Sequence, residues 1–453
     1  MKIDILVAEI GSTTTIVNAF DVNNNLPIFL GRGVANTTVD SDVNEGLKTA
    51  INDLARYLKT SDIEYHEMFA SSSAAGGLRV TVHGLVYEMT VRASKEAALN
   101  AGANIHLVTA GKLSTRNIEE INKLKPNMII VAGGTDYGET ETALYNMKKI
   151  LKMALDIPII YAGNIENQSE IRELFTNENK NHLLKIVDNV YPRVDQLNIL
   201  PLRRVIYETF EEHIVHAKGM AHITDMVNQK IMPTPGSVME ATMILYEQLG
   251  PIITIDVGGA TTDIHSVAEP SDDFKKYLEG EPLQKRTVEG DLGVFINHEN
   301  VVKLFGDGEL EELLNISKEE LEEVLKNYTY MPRTQNERNL VYELAKRCTH
   351  KALDRHVGDL RRVFTSSGQK IIPEGKDLSC VEYIVLTGGA LINLHETEEI
   401  VRDYLKRNQT KMMPSRGVKI LRDHDYIMAS VGVVALKHPN ITFELLKKSL
   451  RIE

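Results

Sequence analysis

Apolar and polar residues alternate in short runs at the start of the chain. Residues 3–9, 15–21 and 27–34 read as strands, 43–59 as a helix and 67–72 as a further strand. The helix follows from Val43, Leu47, Ile51, Leu54 and Leu58, which recur at close to helical spacing. Asp40, Ser41 and Asp42 signal its start, and Asn23-Asn24-Asn25 turns the chain between the second and third strands. The small-residue run Ser71-Ser72-Ser73-Ala74-Ala75-Gly76-Gly77-Leu78-Arg79 marks a boundary. Beyond it, strands at 105–110, 128–133, 158–162 and 184–188 alternate with helices at 91–102, 116–124, 139–154 and 167–176. That alternation predicts an inserted, parallel, Rossmann-like sheet.

Residues 190–250 are mainly helical. Pro233-Thr234-Pro235-Gly236 breaks the chain, and Ser237 caps a helix over 238–249. A charged helical stretch covers 308–362, in which Lys351 to Arg362 reads as a polar helix face. A small-residue helix covers 427–436. Its Gly432 costs about 1 kcal/mol against alanine in a helix interior, and a close helix–helix crossing explains it. These shifts divide the chain into a first lobe (1–77), the βα insert (78–190), a return through the first lobe and a crossing helix (191–250), a second lobe (251–425) and a C-terminal helix with tail (426–453).

The chemistry concentrates where strands stop in glycine turns. In residues 252–264, IITIDVGGATTDI, a β-branched strand ends on Asp256. Gly258 and Gly259 let backbone N–H groups approach a bulky anion, and Thr261 and Thr262 add hydroxyls. A plain hairpin turn also accounts for a lone Gly-Gly. The pattern, however, occurs twice, because Glu9-Ile10-Gly11-Ser12-Thr13-Thr14 aligns with Asp256-Val257-Gly258-Gly259-Ala260-Thr261. Two such hairpins, about 250 residues apart, suggest two related lobes gripping one polyphosphate. A third strand-to-glycine turn, Val385-Leu386-Thr387-Gly388-Gly389-Ala390-Leu391, runs into a helical pattern. Thr287-Val288-Glu289-Gly290-Asp291-Leu292-Gly293-Val294 reads as an acidic turn opening a helix whose N-terminus faces the ligand, or as a plain cap by Asp291.

Composition narrows the classes. A formal charge of −12 and no long basic run argue against nucleic acid as the main partner. No apolar run reaches the roughly 20 residues that span a bilayer, and Met1 leads straight into a strand rather than a signal peptide. The two cysteines, Cys348 and Cys380, are far apart and lack metal-ligand spacing, which fits a reducing cytoplasm.

In this order the three turns resemble the phosphate-1, phosphate-2 and adenosine motifs of the superfamily of actin, heat-shock chaperone ATPases and sugar kinases. The resemblance implies an α/β chain of two ribonuclease-H-like lobes around a nucleotide cleft, with the Rossmann-like domain inserted in the first. It implies ATP and Mg²⁺ as cofactors. Gly11, Ser12, Thr13 and Thr14, Gly258, Gly259, Ala260, Thr261 and Thr262, and Gly388, Gly389 and Ala390 would line the nucleotide. Glu9 and Asp256 would hold the metal through water, and Asp256 or Asp263 would orient the attacking water. The superfamily usually has Asp where this chain has Glu9, one methylene longer. More narrowly, VAEIGSTTT, SSSAAGGLRVTVHGLV, VTAG, IIVAGGTDYG, IDVGGATTDIHSV, VEGDLGV and LTGGAL are similar to the glutamate mutase accessory protein family, the MutL or GlmL type. That likeness implies a chaperone-like ATPase that reactivates or protects an adenosylcobalamin-dependent mutase.

No direct cobalamin site is expected, since DxHxxG is absent. Ile214-Val215-His216-Ala217-Lys218-Gly219 has no Asp at the first position, and Asp354-Arg355-His356-Val357-Gly358 has its Gly one place early. Gly133-Gly134-Thr135-Asp136-Tyr137-Gly138-Glu139 is not GxGxxG, so the insert reads as a docking domain rather than a second nucleotide site. A small-molecule kinase of the same fold, or an actin-like filament protein, are the alternatives. No base aimed at a substrate hydroxyl is visible for the former.

Overall fold

The computed structural model describes residues 1–453 except 24–25, 39–41, 74–78, 102, 195, 215–219, 230, 279–280, 330, 366–367, 409, 415–416 and 453. The helix signals Asp40 and Ser41, the turn residues Asn24 and Asn25, the boundary run from Ala74 to Leu78 and residues 215–219 of the first near-motif lie outside the described residues. The chain forms two compact units. One is Met1–Thr38, Glu45–Ser71 and Ser237–Glu453; the other is Val39–Asn44 and Ser72–Gly236.

In the first unit the chain opens with β1 (Lys2–Ile10), β2 (Thr14–Asn23), β3 (Leu26–Asn36), α1 (Val43–Tyr57) and β4 (Glu64–Ser72). β4, β1, β2 and β3 lie side by side in that order, and β1–β2 and β2–β3 are antiparallel. The apolar alternation of β1 buries Ile5 and Val7 on one face and Leu6 and Ala8 on the other, so this strand is covered on both sides.

The second unit carries β5 (Arg79–Gly84), α2 (Arg92–Asn100), β6 (Asn104–Ala110), α3 (Thr115–Leu124), β7 (Met128–Val131), α4 (Glu141–Leu151), β8 (Ile159–Tyr161), α5 (Gln168–Asn177) and β9 (Leu184–Ile186). All pairings are parallel, in the order β6-β5-β7-β8-β9. This is the flavodoxin-like order among doubly wound sheets. Its core joins Ile129, Val131, Ile159 and Phe175. The interior strand β5 is absent from the strands expected above, because Thr81 and His83 disguise it. Both are fully buried, and the imidazole is bonded to Thr109 Oγ1 at 2.8 Å and Thr81 Oγ1 at 3.0 Å. Burial pushes this histidine down to about 3, so it stays neutral. The unit continues with α6 (Leu200–Ile214), α7 (Met220–Met226) and the two-residue β10 (Met232–Pro233).

The helix expected from 238 begins earlier. α8 spans Thr234–Leu249, because Pro235 sits in its first turn, where the missing N–H costs nothing. Then follow β11 (Ile252–Val257), β12 (Thr262–Val267) and β13 (Gln284–Glu289), all antiparallel neighbours. After α9 (His298–Val302), α10 (Glu309–Leu314), α11 (Lys318–Lys326) and α12 (Gln335–His356), residues 359–362 do not extend a polar helix. They belong to β14 (Asp359–Thr365), which pairs with β15 (Gly368–Glu374). Arg361 and Arg362 are both exposed, as the side chains of a two-stranded ribbon with open faces can be.

β16 (Tyr383–Thr387) then pairs parallel to β11, and after α13 (Gly389–Asn393) and α14 (Thr397–Arg407), β17 (Lys419–Arg422) pairs parallel to β16. α15 (Met428–Val434) and α16 (Pro439–Ser449) close the chain. Two lobes, each with an antiparallel three-strand meander bordered by further strands, make this the actin-like ATPase fold. The second lobe's core runs through Ile253, Ile255, Leu344, Leu353 and Leu386, and each such buried side chain contributes about 2 kcal/mol. α15 meets α8 where Gly432 packs onto the Ser237 carbonyl, and any Cβ there would collide with it. Among the described residues no helix is long and apolar enough to cross a membrane.

Candidate functional site

The two glycine turns have one geometry. Gly11 N donates to Thr14 O at 2.9 Å, and Gly258 N donates to Thr261 O at 2.9 Å. The registers also correspond: Glu9 pairs with Ile16 and Ile10 with Thr15, as Asp256 pairs with Asp263 and Val257 with Thr262. The turns face each other closely, since a Cβ added to Gly259 would lie 3.5 Å from Thr13 Oγ1. Among the described residues, the amides of Ser12, Thr13, Gly259, Ala260 and Thr261 donate to no protein acceptor. Unbonded amides on two facing turns are the groups that an anion-binding site requires.

Residues 290–297 back the second turn. Gly258 O accepts from Val294 N at 3.2 Å. Gly259 O accepts from Phe295 N at 2.9 Å and Ile296 N at 2.7 Å, and Ala260 O from Asn297 Nδ2 at 2.6 Å. The helix expected to open at 287–294 starts only at His298, because this stretch spends its amides on the turn. Asp291 is not its cap: it takes a two-pronged bond from Arg355, at 2.8 and 3.0 Å, and Arg355 also reaches Glu289. The first turn is backed by Thr37, whose N–H donates to Thr13 O at 2.9 Å.

The carboxylates differ in their commitments. Asp263 is buried and accepts from Arg286 Nε at 3.0 Å, from Arg286 Nη2, and from Thr261 Oγ1 at 3.1 Å. Asp256, beside it across the strand pair, is half-buried. Burial, then the Asp263 charge, raises it to about 7, with Arg286 opposing and Asp423 adding to the rise. Glu9 is 7% exposed and its Oε2 has no partner. Burial, then Asp256 and Asp423, pushes it up to about 8, against a lowering hydrogen bond from Tyr426. Among the described residues no three His, Cys, Asp or Glu side chains converge to hold a metal ion directly.

The third turn closes on the second. Gly388, at φ +88°, lies against the Asp256 carboxylate and the Val257 backbone, leaving no space for a side chain. Thr387 pairs with Asp256 across β11–β16. Gly389 has open space beside it, whereas Ala390 is buried.

The family described as MutL protein matches residues 5–450. The chain belongs to the MutL family. It is 33% identical, over 98% of both chains, to Protein MutL of Clostridium tetanomorphum. Among solved structures it is similar to an acetone carboxylase (11% identity, 96% of this chain and 70% of that one, TM-score 0.39) and a glycerol dehydratase reactivase (9% identity, 96% and 100%, TM-score 0.34).

Of the site residues anticipated for this MutL-family chain, Glu9, Gly11, Ser12, Thr13 and Thr14 share one turn, and Asp256, Gly258, Gly259, Ala260 and Thr261 the facing one. Thr262 sits behind its turn, buried, donating to Leu292 O at 2.8 Å. Three participants had escaped the sequence reading. Asp423 is fully buried; its oxygens accept from Ile427 N, Met428 N, Thr387 Oγ1 and Ser449 Oγ, at 3.1, 3.0, 3.0 and 2.6 Å. It caps α15 and ties it to the strand end ahead of Gly388. Tyr426, at φ +53°, lies against Glu9 and opposes the rise of its carboxyl. Arg286 balances Asp263. An Asp five residues ahead of a small-residue helix was the available signal for Asp423.

Proposed function

We propose that this MutL-family chain binds and hydrolyses ATP with Mg²⁺, as a chaperone that reactivates an adenosylcobalamin-dependent mutase, glutamate mutase or a related aminomutase. The observation that carries the nucleotide reading is the pair of matching turns, whose unbonded amides meet across Thr13 and Gly259. In this reading Ser12, Thr13, Gly259, Ala260 and Thr261 bind the β- and γ-phosphates, and Gly388, Gly389 and Ala390 border the adenosine. Asp256 orients the attacking water and accepts its proton. Asp263, neutralised by Arg286, fixes Thr261 and holds Asp256 protonatable near neutrality. Mg²⁺, reached through water by the unpartnered Glu9 Oε2 and by Asp256, would neutralise phosphate charge.

The mutase partnership is supported by family membership. We assign its docking to the insert, residues 78–190. Val86, Tyr87, Tyr137 and Ile165 are exposed in loops after β5, β7 and β8, all at the carboxyl edge of the parallel sheet. Tyr137, 79% exposed at φ +62°, is fixed there by Asn164 Oδ1, which accepts its N–H at 3.1 Å. The test is reactivation. A mutase inactivated by turnover is mixed with this protein, ATP, Mg²⁺ and fresh adenosylcobalamin. Activity returns with wild type and not with Asp256→Asn. Recovery without ATP, or phosphorylation of an added metabolite with no recovery, contradicts the proposal.

A further inference from the structure

We infer that Asn297 is a positioning residue for the second phosphate turn, setting phosphate affinity without touching the ligand. The inference rests on the reading of that turn as a phosphate cradle. Backbone amides converge on an anion only when the carbonyls of the same turn are held on the opposite side. In Gly258–Thr261 the carbonyls of Gly258, Gly259 and Ala260 all accept bonds from residues 294–297. Three of the four donors are backbone N–H groups, available whatever the side chains. Asn297 is the only side chain of the set.

Its amide uses both hydrogens. One goes to Ala260 O at 2.6 Å, the other to Gly290 O at 2.9 Å, so the side chain closes residues 290–297 into a loop while pinning the turn. The start of this loop is fixed separately, where Arg355 holds Glu289 and Asp291. The loop is thus braced at one end by α12 and at the other by Asn297. Among the described residues no side chain does the same for the first turn, where Thr37 supplies a backbone donor to Thr13 O and its hydroxyl meets Thr15 Oγ1 at 2.9 Å instead. An aspartate at 297 keeps the size but loses both donors and sets an anion against two carbonyls.

Asn297→Ala, Asn297→Asp and Asn297→Gln in the full chain are titrated calorimetrically with Mg-ATP and with adenosine, and melted thermally. Loss of one or two hydrogen bonds that orient the cradle weakens ATP binding about tenfold in the alanine variant. The aspartate variant loses more, and glutamine, which keeps both donors, recovers part. Adenosine, lacking phosphate, binds all variants as it binds wild type. Wild-type ATP affinity in Asn297→Ala, or equal losses for ATP and adenosine, overturns the inference. Wild type binding adenosine but gaining nothing from the phosphates overturns the cradle reading itself, and the inference with it.

Discussion

The turn at Gly11–Thr14 and the turn at Gly258–Thr261 share a closing bond and a strand register, yet their carboxylates stand in different surroundings. Across from Asp256 is Asp263, clamped by a buried arginine; across from Glu9 is Ile16. The second turn therefore carries an internal counter-charge. In the first, the arginine at the matching register, Arg32, lies over the Tyr426 ring at 6.0 Å, and the longer acid ends in an oxygen with no partner. One backbone solution has been fitted with two electrostatic settings. The second sets an arginine-held carboxylate across from its acid, the first an apolar side chain.

Removing the counter-charge gives the largest effect. Arg286→Met leaves Asp263 buried without its partner and should cost about 3–5 kcal/mol, read as a fall in urea midpoint. Ile16→Val, at the place in the first hairpin that Asp263 holds in the second, should cost only about 1 kcal/mol. Equal losses would erase the distinction between the hairpins. Catalysis should separate them next. Asp256→Asn should lower ATP turnover about 100-fold, measured as phosphate release, whereas Glu9→Gln should act mainly by raising the Mg²⁺ needed for half-maximal rate. A larger turnover loss from Glu9→Gln would exchange the two roles.

The smallest effect is the change in pH slope between about pH 7 and about pH 8. Both acids are raised in the folded protein, Glu9 to about 8 and Asp256 to about 7. Between their ordinary values and these, the native state binds more protons than the unfolded one. Stability is then full below the ordinary carboxylate range and falls as pH rises. The nucleotide-free protein should lose stability up to about pH 7 from Asp256 and on to about pH 8 from Glu9. Glu9→Gln should flatten the melting temperature between pH 7 and 8. An unchanged slope there would place the upper titration on another group.

How much of this was legible follows from where each determinant lies. The turns were legible because Asp256 through Thr261 is a local pattern, and its copy from Glu9 to Thr14 needed only alignment within the chain. Gly432 was legible as an oddity whose explanation is a packed neighbour. Arg286 was not, because it lies 23 positions from Asp263 and meets it only through β12–β13 pairing. β5 was hidden by a histidine whose polar atoms are satisfied by threonines from its own strand and its neighbour. The 287–294 segment reads as a helix start because its glycines and acid fit a cap, while residues 294–297 bond carbonyls 36 to 37 residues earlier. Pairwise pattern reads local chemistry well; partners fixed by sheet order are invisible to it.

The direct test of the paired turns as one phosphate site is the stoichiometry and affinity of Mg-ATP when either turn alone is altered. Gly11→Val and Gly259→Val are titrated calorimetrically beside wild type, with circular dichroism confirming the fold. Wild type should bind one ATP per chain. Each single variant should lose at least about tenfold in affinity, because both turns hold the same phosphates. A variant in either turn that binds one ATP with wild-type affinity would contradict the shared site.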